Sequence, residues 1–132
     1  MTEVHQALYN FWAQFSYGGS QIPAYLQGHV PEDASFPYIT FDVASGRAFA
    51  TSVVTATAWC RAESGINVNA QRAAILDSID RALPEGDLRI DIPGGFVVLR
   101  RGSGDFHNYI TDEDDKSVVG GVTRCELTAY HE

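Results

Sequence analysis

Histidines, cysteines and carboxylates are where chemistry would be carried in this chain, and their spacing decides which chemistry is open to it. The four histidines are His5, His29, His107 and His131. No two stand at HxH or HxxxH spacing, so no single element offers the paired imidazoles of a preorganised zinc site. Asp105 and His107 alternate along one predicted strand, where a carboxylate can orient an imidazole. A surface hydrogen bond at a hairpin end accounts for that pair more simply. Cys60 precedes Arg61, a thiol next to a cation. Successive strand residues point to opposite faces, so the guanidinium does not sit over the sulfur. Burial among Val54, Ala56 and Ala58 would also raise the thiol pKa, the wrong direction for a nucleophile.

The run Asp112-Glu113-Asp114-Asp115 lacks the alternating ligands, central glycine and twelfth-position Glu of a calcium loop, and reads as a solvated hairpin tip. Pro93-Gly94-Gly95 and Gly102-Ser103-Gly104 lead into strands rather than helix N-termini, which makes them turns and not phosphate cradles. No serine occupies a nucleophile elbow. The expectation is a chain with no catalytic residue, no metal ligand and no cofactor.

Composition narrows the class further. The chain has 132 residues, the size of one domain spanning 1–132, with 45% hydrophobic and 20% charged residues. Seventeen acidic against nine basic residues give a net charge of -8. Arg100-Arg101 is the only adjacent basic pair, so no basic stripe for nucleic acid is expected. The opening MTEVHQALYNF has neither a basic region nor a long apolar run, and no segment approaches the ~18 apolar residues of a membrane helix. A cytosolic setting without membrane contact is expected. Cys60 and Cys125 would then be two buried thiols, with a disulfide as the alternative.

The elements that must position these residues follow from periodicity. Thr2 can cap a helix to about Phe15, with Val4, Leu8, Phe11, Trp12 and Phe15 at helical spacing. Ser16 to Ser35, rich in glycine and proline, reads as a long loop. Phe36–Val43 and Phe49–Ala62 read as strands joined by Ala44–Ala48. In the first, Ile39, Phe41 and Val43 share a face opposite Tyr38, Thr40 and Asp42. In the second, Val54, Ala56, Ala58 and Cys60 oppose Val53, Thr55, Thr57, Trp59 and Arg61. Trp59 is thus a packing or interface residue. Asn67 or Asn69 can cap a helix over Ala70–Leu83, with Ile75, Leu76, Ile79, Ala82 and Leu83 apolar and Gln71, Arg72, Asp77, Asp80 and Arg81 wet. Strands Leu88–Ile92, Phe96–Arg101, Phe106–Thr111 and Val118–Tyr130 complete a meander, and Gly120-Gly121 marks a bulge or kink in the last. The order α-β-β-α-β-β-β(-β) implies an α+β fold, two helices on a mainly antiparallel sheet of five to six strands.

Phe36 to Leu83 resembles the tail terminator (tail completion) proteins of long-tailed bacteriophages. An N-terminal amphipathic helix, the strand Phe36-Pro37-Tyr38-Ile39-Thr40-Phe41, a strand ending Ala58-Trp59-Cys60-Arg61, the link Glu63-Ser64-Gly65 and a helix from Asn69-Ala70 to Ala82-Leu83 carry the likeness. Where the family commonly has Ser, this chain has Cys60.

The resemblance implies a non-catalytic virion protein in the tail or neck, found in the host cytoplasm during assembly or encoded by a prophage. It implies self-association into a ring, as a hexamer, from a monomer before assembly. The ring caps the tail tube and joins it to the head, so the partners would be the tail tube protein and the head–tail connector. Tyr25, Leu26, Arg47, Phe49, Asp112 and Asp114 are the expected contacts to neighbouring copies or to the tube. A neck or minor capsid connector, or an unrelated small ligand-binding module or enzyme using the Tyr25, Asp105 and His107 region, are the alternatives.

Overall fold

The computed structural model describes residues 3–44, 52–83, 86–101 and 107–131. Helix α1 (Glu3–Trp12) buries Ala7, Leu8, Phe11 and Trp12 along one stripe, the spacing read from the sequence. It stops three residues earlier than its apolar periodicity implied. The side chain of Gln14 donates to the Phe11 carbonyl at 2.8 Å and that of Gln21 to the Ala13 carbonyl at 2.6 Å, which closes the last turn. Phe15 stays buried beyond the helix, its ring 5.8 Å from that of Phe11. The expected cap at Thr2 lies outside the described residues.

Ser16 to Ser35 is not a loop throughout. Strands β1 (Ser16–Tyr17) and β2 (Ser20–Gln21) form a tight hairpin whose turn residues Gly18 and Gly19 have φ of 60° and 84°, a conformation open to glycine at little cost. Strand β3 (Ala24–Leu26) then runs parallel to β4 (Tyr38–Ala44), pairing Ala24 with Ile39 and Leu26 with Phe41. Three residues are too few to show an alternating pattern, so no periodicity signals β3 in advance.

Strand β5 (Ser52–Arg61) pairs antiparallel with β4 and, on its other side, with β9 (Val118–His131). Helix α2 (Val68–Ala82) is capped by Asn67, whose side chain accepts from the Ala70 amide at 3.1 Å. Gln71, expected on its wet face, is buried. It continues the Ile75 and Ile79 stripe one turn earlier, and position outweighs polarity there. The C-terminal strands are β6 (Leu88–Ile92), β7 (Gly95–Arg101) and β8 (His107–Thr111).

The fold is α+β, with a seven-stranded mixed sheet in the order β3-β4-β5-β9-β7-β6 and β8 paired to β9 beside β7. Among the described residues only the β3–β4 pair is parallel. The meander is interrupted because β9 is 14 residues long. Its free side takes β8 along Val119–Thr123 and β7 along Cys125–His131, end to end.

Gly120 and Gly121 make no bulge, since the β5–β9 register runs unbroken through Trp59↔Gly120 and Ala58↔Gly121. They are small because their surroundings are full. A Cβ on Gly121 would lie 2.7 Å from Leu76 Cδ1 of α2, and one on Gly120 would lie 3.0 Å from Ile110 Cγ1 and 3.2 Å from Trp59 Cε3. Gly121 is therefore where α2 sits down on the sheet.

The core lies between the helices and one sheet face. Ile39, Phe41, Val54, Ala56, Ala58, Cys60, Val97, Leu99 and Cys125 meet Leu8, Trp12, Ile75 and Ile79. Cys60 and Cys125 are both free. Cys60 is opposite Val119 and Cys125 opposite Val54, so six residues, about 20 Å along the strands, separate them and no disulfide can form. Arg100 and Arg101 point to opposite faces. Arg100 reaches Asp87 at 3.4 Å, while Arg101 closes the C-terminus of α2 by donating to the Asp80 and Leu83 carbonyls at 2.9 and 2.7 Å.

Candidate functional site

Because both helices pack on one face, the opposite face of the sheet carries Tyr25, Tyr38, Thr40, Trp59, Arg61 and Val118, brought side by side by the β3–β4–β5–β9 register. At one end of that face is a groove of about 370 Å³ between the β4–β5 aromatics and the β8–β9 turn.

Its walls are interlocked rings. Phe36 and Tyr38 stand 4.9 Å apart, and Tyr25 meets Tyr38 edge-on at 5.8 Å. Trp59 fixes its indole by donating to Thr40 Oγ1 at 3.2 Å. The Arg61 guanidinium lies over Phe36, 4.4 Å from the ring centre, and reaches Asp115 at 3.5 Å.

The acidic run forms the rim: it is the tip of the β8–β9 hairpin, with Glu113 and Asp114 exposed as expected, and it is ordered by its own hydrogen bonds. Asp112 Oδ1 accepts from the amides of Asp114 and Asp115 at 2.8 and 3.2 Å, and Asp115 Oδ1 accepts from the Ser117 amide and hydroxyl at 3.0 and 2.6 Å. Backbone bonds from Asp112 to Val118 and from Val118 to Asp115, both 3.0 Å, close the turn. The Ser117 hydrogen bonds, with help from Arg61, hold the Asp115 carboxyl below its ordinary 3.8. Burial, reinforced by Asp112 and Tyr25 and opposed by Arg61, pushes the Tyr38 phenol above its ordinary 10.0.

Of the expected contact residues, Asp112 and Asp114 line this groove, and Tyr25 adjoins it through its edge-on contact with Tyr38. Leu26 does not. It alternates with Tyr25, lies beside Phe41 and is half-buried against the core, on the face away from the groove. Arg47 and Phe49 lie outside the described residues. Phe36, Tyr38 and Arg61 are among the groove residues to which the sequence assigns no contact role. The opposite-face alternation of Tyr38 and Trp59 was the available signal, but nothing local showed that the β8–β9 turn would fold over them.

His107 belongs to the other face. Its Nδ1 is 3.0 Å from Thr123 Oγ1 and its Nε2 is 3.9 Å from Asp80 Oδ1 on α2. Burial lowers its pKa from 6.5, with Asp80 opposing. A second cavity of about 390 Å³ opens here against Ala73, Leu76 and Asp77. Tyr25 and His107 are therefore on opposite sides of the sheet and cannot share a site. Asp105 lies outside the described residues. Burial pushes the Cys60 and Cys125 thiols up to about 11 and about 12, far from the thiolate that a nucleophile needs. Among the described residues no group of three His, Cys, Asp or Glu side chains is placed to hold a metal ion, and no helix is long and apolar enough to cross a membrane.

The chain matches no protein-family model, no curated protein and no solved structure.

Proposed function

We propose that this chain is a non-catalytic assembly subunit of the kind its sequence resembles, a phage tail terminator. In that role copies close a ring on the end of the tail tube and present a surface to the head–tail connector. The observation that carries the proposal is the helix-free face of the sheet. One face carries α1 and α2, whereas the other keeps an aromatic groove with a hydrogen-bonded acidic rim and exposes Val53 and Tyr130. Such a face, bounded by strands that lack a neighbour on their outer side among the described residues, is suited to contact with other chains. Interlocked rings and a hydrogen-bonded turn give a contact surface that is formed before the partner arrives, which limits the ordering cost of association.

The net charge of -8 suits a ring through which DNA passes, since like charge on the bore disfavours phosphate contacts. Sedimentation velocity and negative-stain microscopy, with and without purified tail tube protein, test the role. Closed rings, formed alone or on tube ends, support it. A persistent monomer that ignores the tube but binds a head–tail connector points instead to a neck adaptor, and a monomer that ignores both removes the assembly role.

A further inference from the structure

At the edge of the sheet farthest from the groove, β6 has no neighbour on its outer side among the described residues. It contains no proline or bulge, and its two charged residues, Arg89 and Asp91, have opposite signs, so they guard the edge against pairing in some registers but not in all. We propose that this edge is a docking surface for the same edge of a second copy, two β6 strands pairing antiparallel about a two-fold axis through Ile90.

Three observations converge on this register. The first is backbone direction. Pro93 and Gly94 form a two-residue turn, which makes Ile92 and Gly95 a hydrogen-bonded pair. Alternation then points the amides and carbonyls of Ile90 and Leu88 at β7, and those of Arg89 and Asp91 outward. A regular antiparallel partner must place outward residues opposite outward residues, which leaves centres at Arg89, Ile90 or Asp91.

The second observation is charge. Centring on Arg89 or on Asp91 sets each residue against its own copy, a like-charge pair that opposes association. Centring on Ile90 sets Arg89 across from Asp91 of the second copy, twice. Both side chains are exposed, at 57% and 77%, and already lie 2.9 Å apart within one strand. Arg89 is further held over the Phe96 ring, 3.8 Å from its centre, which in turn stacks on Tyr130 at 4.9 Å.

The third is the apolar side. Leu88, Ile90 and Ile92 are half-buried, and Leu88 and Ile90 line a groove of about 320 Å³ with Ala7, Phe11 and Ala82. Two copies would bring these grooves together under the continuous sheet.

An isologous contact of this kind is complete with two copies and cannot propagate around a ring. It therefore rests on the β6 edge alone and stands or falls apart from the terminator role.

Sedimentation equilibrium over micromolar to millimolar protein is the test. The wild-type chain is expected to form a dimer. Arg89→Asp and Asp91→Arg each place like charges opposite one another and raise the dimer dissociation constant by about tenfold or more. The combined swap Arg89→Asp/Asp91→Arg restores the opposite-charge pairs and returns it towards the wild-type value. Both positions are exposed, so the fold is preserved. For register, oxidised Ile90→Cys yields a covalent dimer, because a directly opposed non-hydrogen-bonded pair is within disulfide reach, whereas Arg89→Cys yields none. A wild-type monomer at all concentrations, or a double swap no tighter than either single change, overturns the contact. A hexamer indifferent to the swaps overturns it while upholding the ring. Swap-sensitive dimers that never cap a tube uphold it and overturn the ring.

Discussion

Truncating Leu76 should partly relieve the damage done by adding a methyl group at Gly121. Gly121→Ala puts a Cβ 2.7, 2.9 and 3.0 Å from Leu76 Cδ1, Cγ and Cδ2, all tighter than normal carbon contacts. Leu76 is 3% exposed on α2, so it cannot swing into solvent, and the helix must lift. Overpacking of this kind costs about 1–3 kcal/mol. The alanine recovers some of that by restricting the unfolded chain, by about 0.5–1 kcal/mol. The net loss should be about 1–2 kcal/mol.

Leu76→Ala alone removes a buried side chain and costs about 2–5 kcal/mol. In the double variant the added methyl enters the space Leu76 has left. The combined loss should therefore fall short of the sum of the two single losses by about 1 kcal/mol or more. Urea denaturation with unchanged slope is the assay. Losses that add to within about 0.5 kcal/mol would refute the seating of α2 on Gly121 and revive a conformational reason for the glycine.

Trp59→Ala should destabilise the fold by about 2 kcal/mol, less than the loss for a fully buried aromatic, because the ring is half-buried and held by one hydrogen bond to Thr40. It should also weaken assembly, and an unchanged melting midpoint with unchanged assembly counts against the groove. His107 gives a pH signature. Its folded pKa is depressed, so the stability it contributes is whole above its ordinary 6.5 and declines as pH falls through that value towards the folded one. His107→Gln should flatten that part of the stability profile, and an identical slope in the variant would contradict the burial assigned to the ring. Cys60→Ser places a hydroxyl in a fully buried apolar site and should lower stability by about 1–3 kcal/mol while leaving assembly intact; loss of assembly at preserved stability would implicate the thiol directly.

Long, strictly alternating elements were legible from residues alone. Ile39/Phe41 against Tyr38/Thr40, and Val54/Ala56/Ala58/Cys60 against Thr57/Trp59/Arg61, fall on the faces their order implies. Elements specified by distant partners were not. Strand β3 exists because Ala24–Leu26 lies against β4 and the Ile39 amide donates to the Pro23 carbonyl at 2.9 Å, neither of which is encoded within three residues. The glycine pair in β9 illustrates the same limit. Gly-Gly inside a strand signals local irregularity, yet the reason for it is Leu76, some 45 positions earlier on a helix. At the candidate site, Tyr25 stands out in a glycine- and proline-rich segment and Asp112 and Asp114 in an acidic run, but their approach to one groove depends on β4 and β8 flanking the β5–β9 pair on opposite sides. Leu26 lies away from the groove for a simple geometric reason. A residue adjacent to an outward tyrosine on a strand must face inward.

The most direct test of the assembly role is the length of tail tubes polymerised in the presence of this chain. Added to purified tail tube protein, it should arrest growth and leave short tubes with a ring on one end, while the Trp59→Ala variant should cap poorly. Tubes of unaltered length with bare ends, at chain concentrations well above those of the ends, would contradict it.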